Sequence, residues 1–143
     1  MIVLDTNVIS ELMRSRIAPA VEAWVNHFCL ADMYITAITR AEVERGVNLM
    51  PRGANRNTYR ALADRTFALF KGRCLPFEET AAIYFGKVQA RRQRAGRPIA
   101  TEDAQIASIA LTHGMKVATR NTRDFQGIDG LEVVNPWVEK ISN

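Results

Sequence analysis

The chain opens with an apolar run that leads directly into a carboxylate. Ile2, Val3 and Leu4 follow one another without alternating polar residues, and Asp5 comes next. An apolar run without alternation predicts a strand buried on both faces, which is typical of parallel sheets covered by helices. Asp5 would then stand at the carboxyl end of this strand, the edge where open α/β sheets place their ligands.

Short apolar runs alternate with amphipathic segments along the rest of the sequence. Further strands are expected over 34–36, 74–77, 116–119 and 131–134, with 74–77 at an edge because Pro76 lacks a ladder donor. Helices are expected directly after Asp5, from Pro19, over 39–50, 55–72 and 78–95, and from Thr101 to Gly114. This alternation predicts an α/β fold with a central parallel sheet of four to five strands, in a single domain spanning 1–143.

Composition narrows the class of protein. No apolar run approaches the roughly 20 residues needed to span a bilayer, and the N-terminus lacks a signal-peptide pattern. Cys29 and Cys74 stand alone, so we expect buried, reduced thiols in a cytoplasmic protein. Two histidines are too few and too scattered for a zinc site. The net charge of +4 is mild, but it leaves a more basic surface if several acids gather in one pocket.

Three further acids are expected at the same sheet edge as Asp5. Glu42 would lie in the first turn of the helix after the second strand, three residues after a capping Thr39. Asp103 would lie in the first turn of the helix before the fourth strand, with Thr101 as its cap, and Asp124 in the polar loop that leaves that strand. Helix starts and strand exits meet at this edge of a parallel sheet, so four carboxylates should converge.

Four clustered carboxylates repel one another, and a hard divalent cation such as Mg²⁺ or Mn²⁺ removes the conflict. Such a site suits phosphodiester hydrolysis. Thr6, Asn7 and Asn121 are neighbouring polar residues suited to hold ligands or waters. Each acid also has a structural explanation by itself: a capping box for Glu42, a favourable helix-start charge for Asp103, an ordinary loop acid for Asp124. Their convergence on one edge favours the functional interpretation.

Basic residues flank the acidic edge and also form one separate cluster. Arg120 and Arg123 are placed to bind RNA phosphates beside the acids. The separate cluster is expected to be a solvated helix end, with phosphate binding as the alternative, and comprises Arg91, Arg92, Arg94 and Arg97.

Together, in this order, the motifs resemble the PIN-domain ribonucleases, specifically the VapC and FitB-like toxins of bacterial type II toxin–antitoxin pairs. The matching stretches are 1–12, 38–42, 101–107, 117–125 and 134–137. The resemblance implies a PIN-like three-layer α/β/α sandwich. It also implies that Asp5, Glu42, Asp103 and Asp124 form the family's catalytic and metal-binding quartet, with Asn121 at its neighbouring polar position.

The same resemblance carries expectations about activity and partners. It implies a Mg²⁺- or Mn²⁺-dependent endoribonuclease that arrests translation by cutting structured RNA, often tRNA or ribosomal RNA. It implies a homodimer that enters a higher assembly with a cognate antitoxin, and contact with operator DNA only through that antitoxin.

Other functions fit the residues less well. A phosphatase with an aspartyl nucleophile usually has a second acid two residues later, where Asn7 stands. A receiver domain would need acids just before Asp5, and a nucleotide-binding protein would need a glycine-rich loop that is absent. A module that binds RNA or a partner without cutting would have no use for four converging acids. A stand-alone RNA-processing nuclease remains an alternative to the toxin.

Overall fold

The computed structural model describes residues 1–141, and within them five short strands form one parallel sheet. The strands are β1 (Ile2–Leu4), β2 (Met33–Thr36), β3 (Cys74–Leu75), β4 (Lys116–Ala118) and β5 (Val133–Val134). Their spatial order is β3-β2-β1-β4-β5, so β1 is central and β3 lies at an edge. The predicted parallel sheet and the predicted edge position of β3 are both confirmed.

Helices connect the strands and cover both faces of the sheet. They are α1 (Thr6–Leu12), α2 (Pro19–His27), α3 (Ala37–Leu49), α4 (Ala54–Ala68), α5 (Glu79–Arg94), α6 (Thr101–Thr112) and α7 (Thr122–Phe125), with a 3-10 turn over Leu30–Asp32. The helices expected directly after Asp5 and from Pro19 begin where the sequence predicted. Over residues 1–141, every helix is too short or too polar to traverse a bilayer.

Side chains of β1 alternate between two apolar clusters, one on each face of the sheet. Ile2 and Leu4 pack into a cluster with residues of α1 to α4, including the fully buried Trp24. Val3 packs into the other cluster, with residues of α5, α6 and α7. The three-layer α/β/α arrangement is therefore confirmed. Each such buried aliphatic side chain contributes about 1.5–3 kcal/mol, and together they fix the strand that ends at Asp5.

Two helix starts differ from the sequence prediction. Helix α3 begins at Ala37, where Thr36 is the N-cap and its Oγ1 accepts a hydrogen bond from the Thr39 amide at 3.2 Å. The predicted capping box of Thr39 and Glu42 is wrong, because β2 runs into the helix without a loop and the earlier threonine caps it. Glu42 consequently lies in the second turn, with its carboxylate free for other contacts.

The second difference concerns the segments around α6 and α7. Thr101 is already helical, and Ala100 occupies the N-cap position without a side-chain hydrogen bond, so the predicted Thr101 cap is wrong. Asp103 nevertheless lies in the first turn of α6, as expected. Asp124 lies in the short helix α7 rather than in an irregular loop.

Two surface predictions also change. Cys29 and Cys74 are exposed rather than buried, because one precedes the 3-10 turn and the other lies on the edge strand β3. Arg92 is buried, whereas Arg91, Arg94 and Arg97 are exposed as predicted. The chain turns back over this end of α5, and its carbonyl groups accept hydrogen bonds from the Arg92 guanidinium.

Candidate active site

Asp5 is held rigidly at the carboxyl end of the central strand. It is 4% exposed and serves as the N-cap of α1, with Oδ1 accepting from the Thr6 amide at 2.8 Å. Its Oδ2 accepts from the Thr119 hydroxyl at 2.7 Å and from Asn7 Nδ2 at 3.1 Å. Burial raises the pKa of the Asp5 carboxyl group and the Asp124 charge raises it further, while these hydrogen bonds act in the opposite direction.

Thr119 is a site residue that the sequence reasoning missed. It is fully buried directly after β4, where the pairing of Leu4 with Ala118 brings it beside Asp5. Besides donating to Asp5, its hydroxyl accepts hydrogen bonds from Asn7 Nδ2 at 3.1 Å and from the Asn121 amide at 3.0 Å. A threonine that ends an apolar strand was the available sequence signal. Only the strand order reveals its neighbour.

Glu42 reaches the same pocket from α3. The Thr6 hydroxyl donates to Glu42 Oε1 at 2.8 Å and lies 3.0 Å from the Thr39 hydroxyl. Since the single Thr6 proton goes to Glu42, Thr39 would be the donor in the second contact. Partial burial of the carboxyl group raises the pKa of Glu42, and the charges of Asp5 and Glu102 add to the effect. Glu42 is therefore oriented toward Asp5 by two threonines.

Asp103 is a partly buried acid close to several other negative charges. It is half-buried in the first turn of α6. Burial raises the pKa of Asp103 to about 6, with further contributions from the negative charges of Asp5, Asp124, Glu42 and Glu102. The charges of the other three predicted acids therefore reach Asp103. Glu102, the acid next to Asp103 on α6, is exposed but close enough to add its charge.

Asp124 is the most peripheral member of the group. It is exposed on α7 and does not line the cleft that contains the other three acids, although its charge raises the pKa of both Asp5 and Asp103. The backbone around Asp124 is fixed by a residue of α5, since Arg92 Nη2 donates to the carbonyl groups of Asp124 and Gln126, each at 2.8 Å. Asp124 thus lies outside the cleft lining, affects Asp5 and Asp103 through its charge, and is attached to α5 through its backbone.

Asp5, Glu42 and Asp103 line an open cleft of about 580 Å³. Of the predicted supporting residues, Thr6, Asn7, Asn121 and Arg120 line it, whereas Arg123 does not. The remaining lining residues, which sequence reasoning did not single out, are Ser10, Glu11, Arg14 and Trp137. Glu11 has a structural role, since it accepts from the Ala18 amide at 2.8 Å and pairs with Arg14 at 3.3 Å.

The donor chemistry of this cleft suits a hard divalent cation. Carboxylates with raised pKa values are costly to keep charged together, and a cation with oxygen ligands relieves that cost. Within residues 1–141, no three acidic, histidine or cysteine side chains converge into a ready-made metal cage. An ion that keeps several water ligands, as Mg²⁺ does, fits such an open set better than one that needs a full protein shell.

The family model of the PIN domain matches residues 2–131, and the chain belongs to this family. Toxin FitB of Neisseria gonorrhoeae is 41% identical over 138 residues, which cover 96% of this chain and 99% of FitB. The VapC ribonuclease Y4jK of Sinorhizobium fredii is 39% identical, covering 96% of this chain and 98% of that protein. A solved structure of FitAB bound to an IR36 DNA fragment superposes with a TM-score of 0.88 at 39% identity, over 100% of both chains.

Proposed function

We propose that this chain is the toxin of a type II toxin–antitoxin system and an endoribonuclease that depends on Mg²⁺ or Mn²⁺. The observation that carries the proposal is the buried Asp5, fixed by three hydrogen bonds at the end of the central strand. The charge of Asp124 raises the pKa of Asp5, and the charge of Asp5 raises the pKa values of Glu42 and Asp103. Two relatives, one named a toxin and one named a ribonuclease, match this chain over nearly their whole length and support the proposal.

The acids would divide the work between holding the cation and completing the pocket. Asp5 and Asp103 would be the main ligands, directly or through water, and Glu42 and Asp124 would complete the negative pocket. When bound, the cation would orient the scissile phosphate, lower the pKa of a water and stabilise the developing charge. Asn7 and Thr119 keep the Asp5 carboxylate in place, and one of Glu42 and Asp124 would orient the attacking water. Arg120 would bind the phosphate backbone beside the acids.

The solved structures of relatives support a proposal about the partners of this chain. FitAB is a complex bound to DNA, which supports a cognate antitoxin for this chain and contact with operator DNA through that antitoxin. We further propose a homodimer that joins a larger assembly with the antitoxin, and tRNA or ribosomal RNA as the target. Co-expression of the cognate antitoxin should relieve growth arrest caused by this chain, and unrelieved arrest would contradict the pairing.

The central experiment compares purified wild type with Asp5→Ala and Asp5→Asn on total RNA, with new 5′ ends mapped by sequencing. Wild type should cut in Mg²⁺ or Mn²⁺ and stop in EDTA, and both variants should lose cleavage. The matched control is Asp32→Ala, because Asp32 is an exposed acid before β2, at the opposite edge of the sheet. Thermal unfolding checks that each variant is folded. Cleavage that survives EDTA or the Asp5 substitutions would refute the assignment.

A further inference from the structure

Arg120 and Trp137 form one wall of the acidic cleft, with the Arg120 guanidinium over the Trp137 ring. Both residues line the cleft, and the Arg120 guanidinium carbon lies 5.3 Å from the centroid of the Trp137 ring. The second tryptophan of the chain, Trp24, is fully buried and bonds Glu139, so its ring is closed to ligands. Trp137 is partly buried and keeps part of its surface at the cleft.

Hydrogen bonds tie this wall to the catalytic acid. Asn7 donates to Asp5 Oδ2 at 3.1 Å, and its Oδ1 accepts from the Arg120 amide at 3.2 Å. The side chain of Asn135 accepts from the Trp137 amide at 3.0 Å and reaches the Arg120 carbonyl at 3.5 Å. A continuous set of contacts therefore runs from Asp5 to the Trp137 backbone. The side chain of Trp137 is oriented by its packing against the apolar cluster that contains Trp24 and by the Arg120 guanidinium over its ring.

The chemistry of this wall matches a nucleotide rather than a phosphate alone. An aromatic face stacks on any base, and an arginine beside it supplies positive charge for the backbone and stacking for the base. Bases within a duplex are already stacked on both sides, so they cannot use such a surface without being displaced. The four acids nearby repel a polyanion, which makes an attractive contact at the rim more important for binding.

We propose that Trp137 and Arg120 form a stacking platform for an unpaired nucleobase next to the phosphate that is cut. The inference rests on the proposed ribonuclease function and adds the two residues that contact the nucleotide beside the cut. Trp137 supplies the aromatic surface, and Arg120 orients the nucleotide by binding its phosphate.

The test measures binding in an Asp5→Ala background, so that RNA is not cut. The probes are a 12-nucleotide single-stranded oligoadenylate, the same strand paired with oligouridylate, and a 12-mer ribose-phosphate chain without bases. Trp137→Leu should weaken binding of the single strand by about fivefold to a hundredfold, the range for losing one base–aromatic stack. Trp137→Phe should retain most of the affinity. Binding of the chain without bases should be unchanged in both variants, and the duplex should bind more weakly than the single strand.

The chain without bases also reports folding, because its binding needs the folded basic rim but no stacking. A matched control is Val138→Ala, since Val138 is the neighbouring residue and is 73% exposed. Trp137 fluorescence should be quenched by the single strand, and this signal should vanish in Trp137→Phe. Equal losses on all three probes, or no loss on any, would overturn the platform. Cleavage assays are separate: a nuclease that passes them but shows no stacking refutes only this inference.

Discussion

At the scale of single residues, the site depends on a few hydroxyl and amide groups as much as on its acids. Asp5 carries a charge that burial disfavours, and it is tolerable because Thr6, Asn7 and Thr119 donate hydrogen bonds to it. Thr119 has a double role, since it also accepts from the backbone of Asn121, which lines the cleft. Loss of such a contact should move the acid without unfolding the protein.

Thr119→Val tests this role, because it keeps the shape of the side chain and removes the hydroxyl. We expect cleavage to fall by about 10–100-fold, the usual effect of removing a group that orients a metal ligand. Thr119→Ser restores the hydroxyl and should recover most of the activity. Equal activity of the valine variant and wild type, measured at limiting Mg²⁺, would show that the contact is dispensable.

Asp103→Asn should stabilise the protein in the absence of metal. Its pKa is raised to about 6 in the folded chain, whereas an unfolded aspartate has a pKa of ~3.9, so the charged form destabilises the folded state at pH 7. Because the group is only half-buried, we expect a gain of about 1 kcal/mol in the free energy of unfolding.

The stability gain of Asp103→Asn should depend on pH, because the Asp103 carboxyl group destabilises the folded state only when it is charged. Wild type binds more protons when folded than when unfolded between about pH 4 and 6, so its stability rises as pH falls through this window. The advantage of Asp103→Asn should therefore shrink toward pH 4. Denaturant unfolding in EDTA at several pH values measures it. An advantage that is constant with pH would mean that the carboxyl charge is not its cause.

At the scale of elements, α5 supports the site from a distance. Arg92 lies near the end of this helix, is buried, and holds the backbone of the segment that bears Asp124. Within the basic cluster predicted from the sequence, Arg92 therefore has a different role from its exposed neighbours. Its two carbonyl partners belong to α7 and its C-cap, an element of only four residues that could not hold its own position.

Arg92→Met should lower the free energy of unfolding by about 1.5–3 kcal/mol, because two buried hydrogen bonds from a charged group are lost. It should also lower cleavage, since Asp124 loses its fixed support. Arg94→Met is the matched control on the same helix end, where the side chain is exposed, and it should change stability by less than about 0.5 kcal/mol. Denaturant unfolding and cleavage rates are measured for both. Equal behaviour of the two variants would contradict the role given to Arg92.

At the scale of the whole molecule, the acids of the cleft destabilise the folded state, and the apolar packing of the rest of the fold offsets that destabilisation. The central strand is clamped between two apolar clusters, and the cleft lies at its exit. A cation that binds only the folded state should therefore stabilise the entire domain. At a concentration 100 times its dissociation constant the gain is about 2.7 kcal/mol.

Thermal unfolding with and without Mg²⁺ or Mn²⁺ tests this linkage. The unfolding temperature of wild type and of Asp32→Ala should rise with metal concentration, while Asp5→Ala should show little or no rise. A rise of equal size in Asp5→Ala would place the bound cation elsewhere.

Apolar periodicity and strand-exit position are local properties, so the sequence predicted the parallel sheet, its central strand and the place of Asp5 at the strand's exit. It also pointed to Glu42 and Asp103, which line the cleft, whereas Asp124 lies outside the cleft lining. It could not determine which threonine caps α3, since Thr36 and Thr39 are both good caps and only the path of the chain after β2 chooses between them. It could not pair Thr119 with Asp5, separate Arg92 from its exposed neighbours, or bring Trp137 to the cleft. Those contacts join residues far apart in sequence, so the tertiary structure alone decided them.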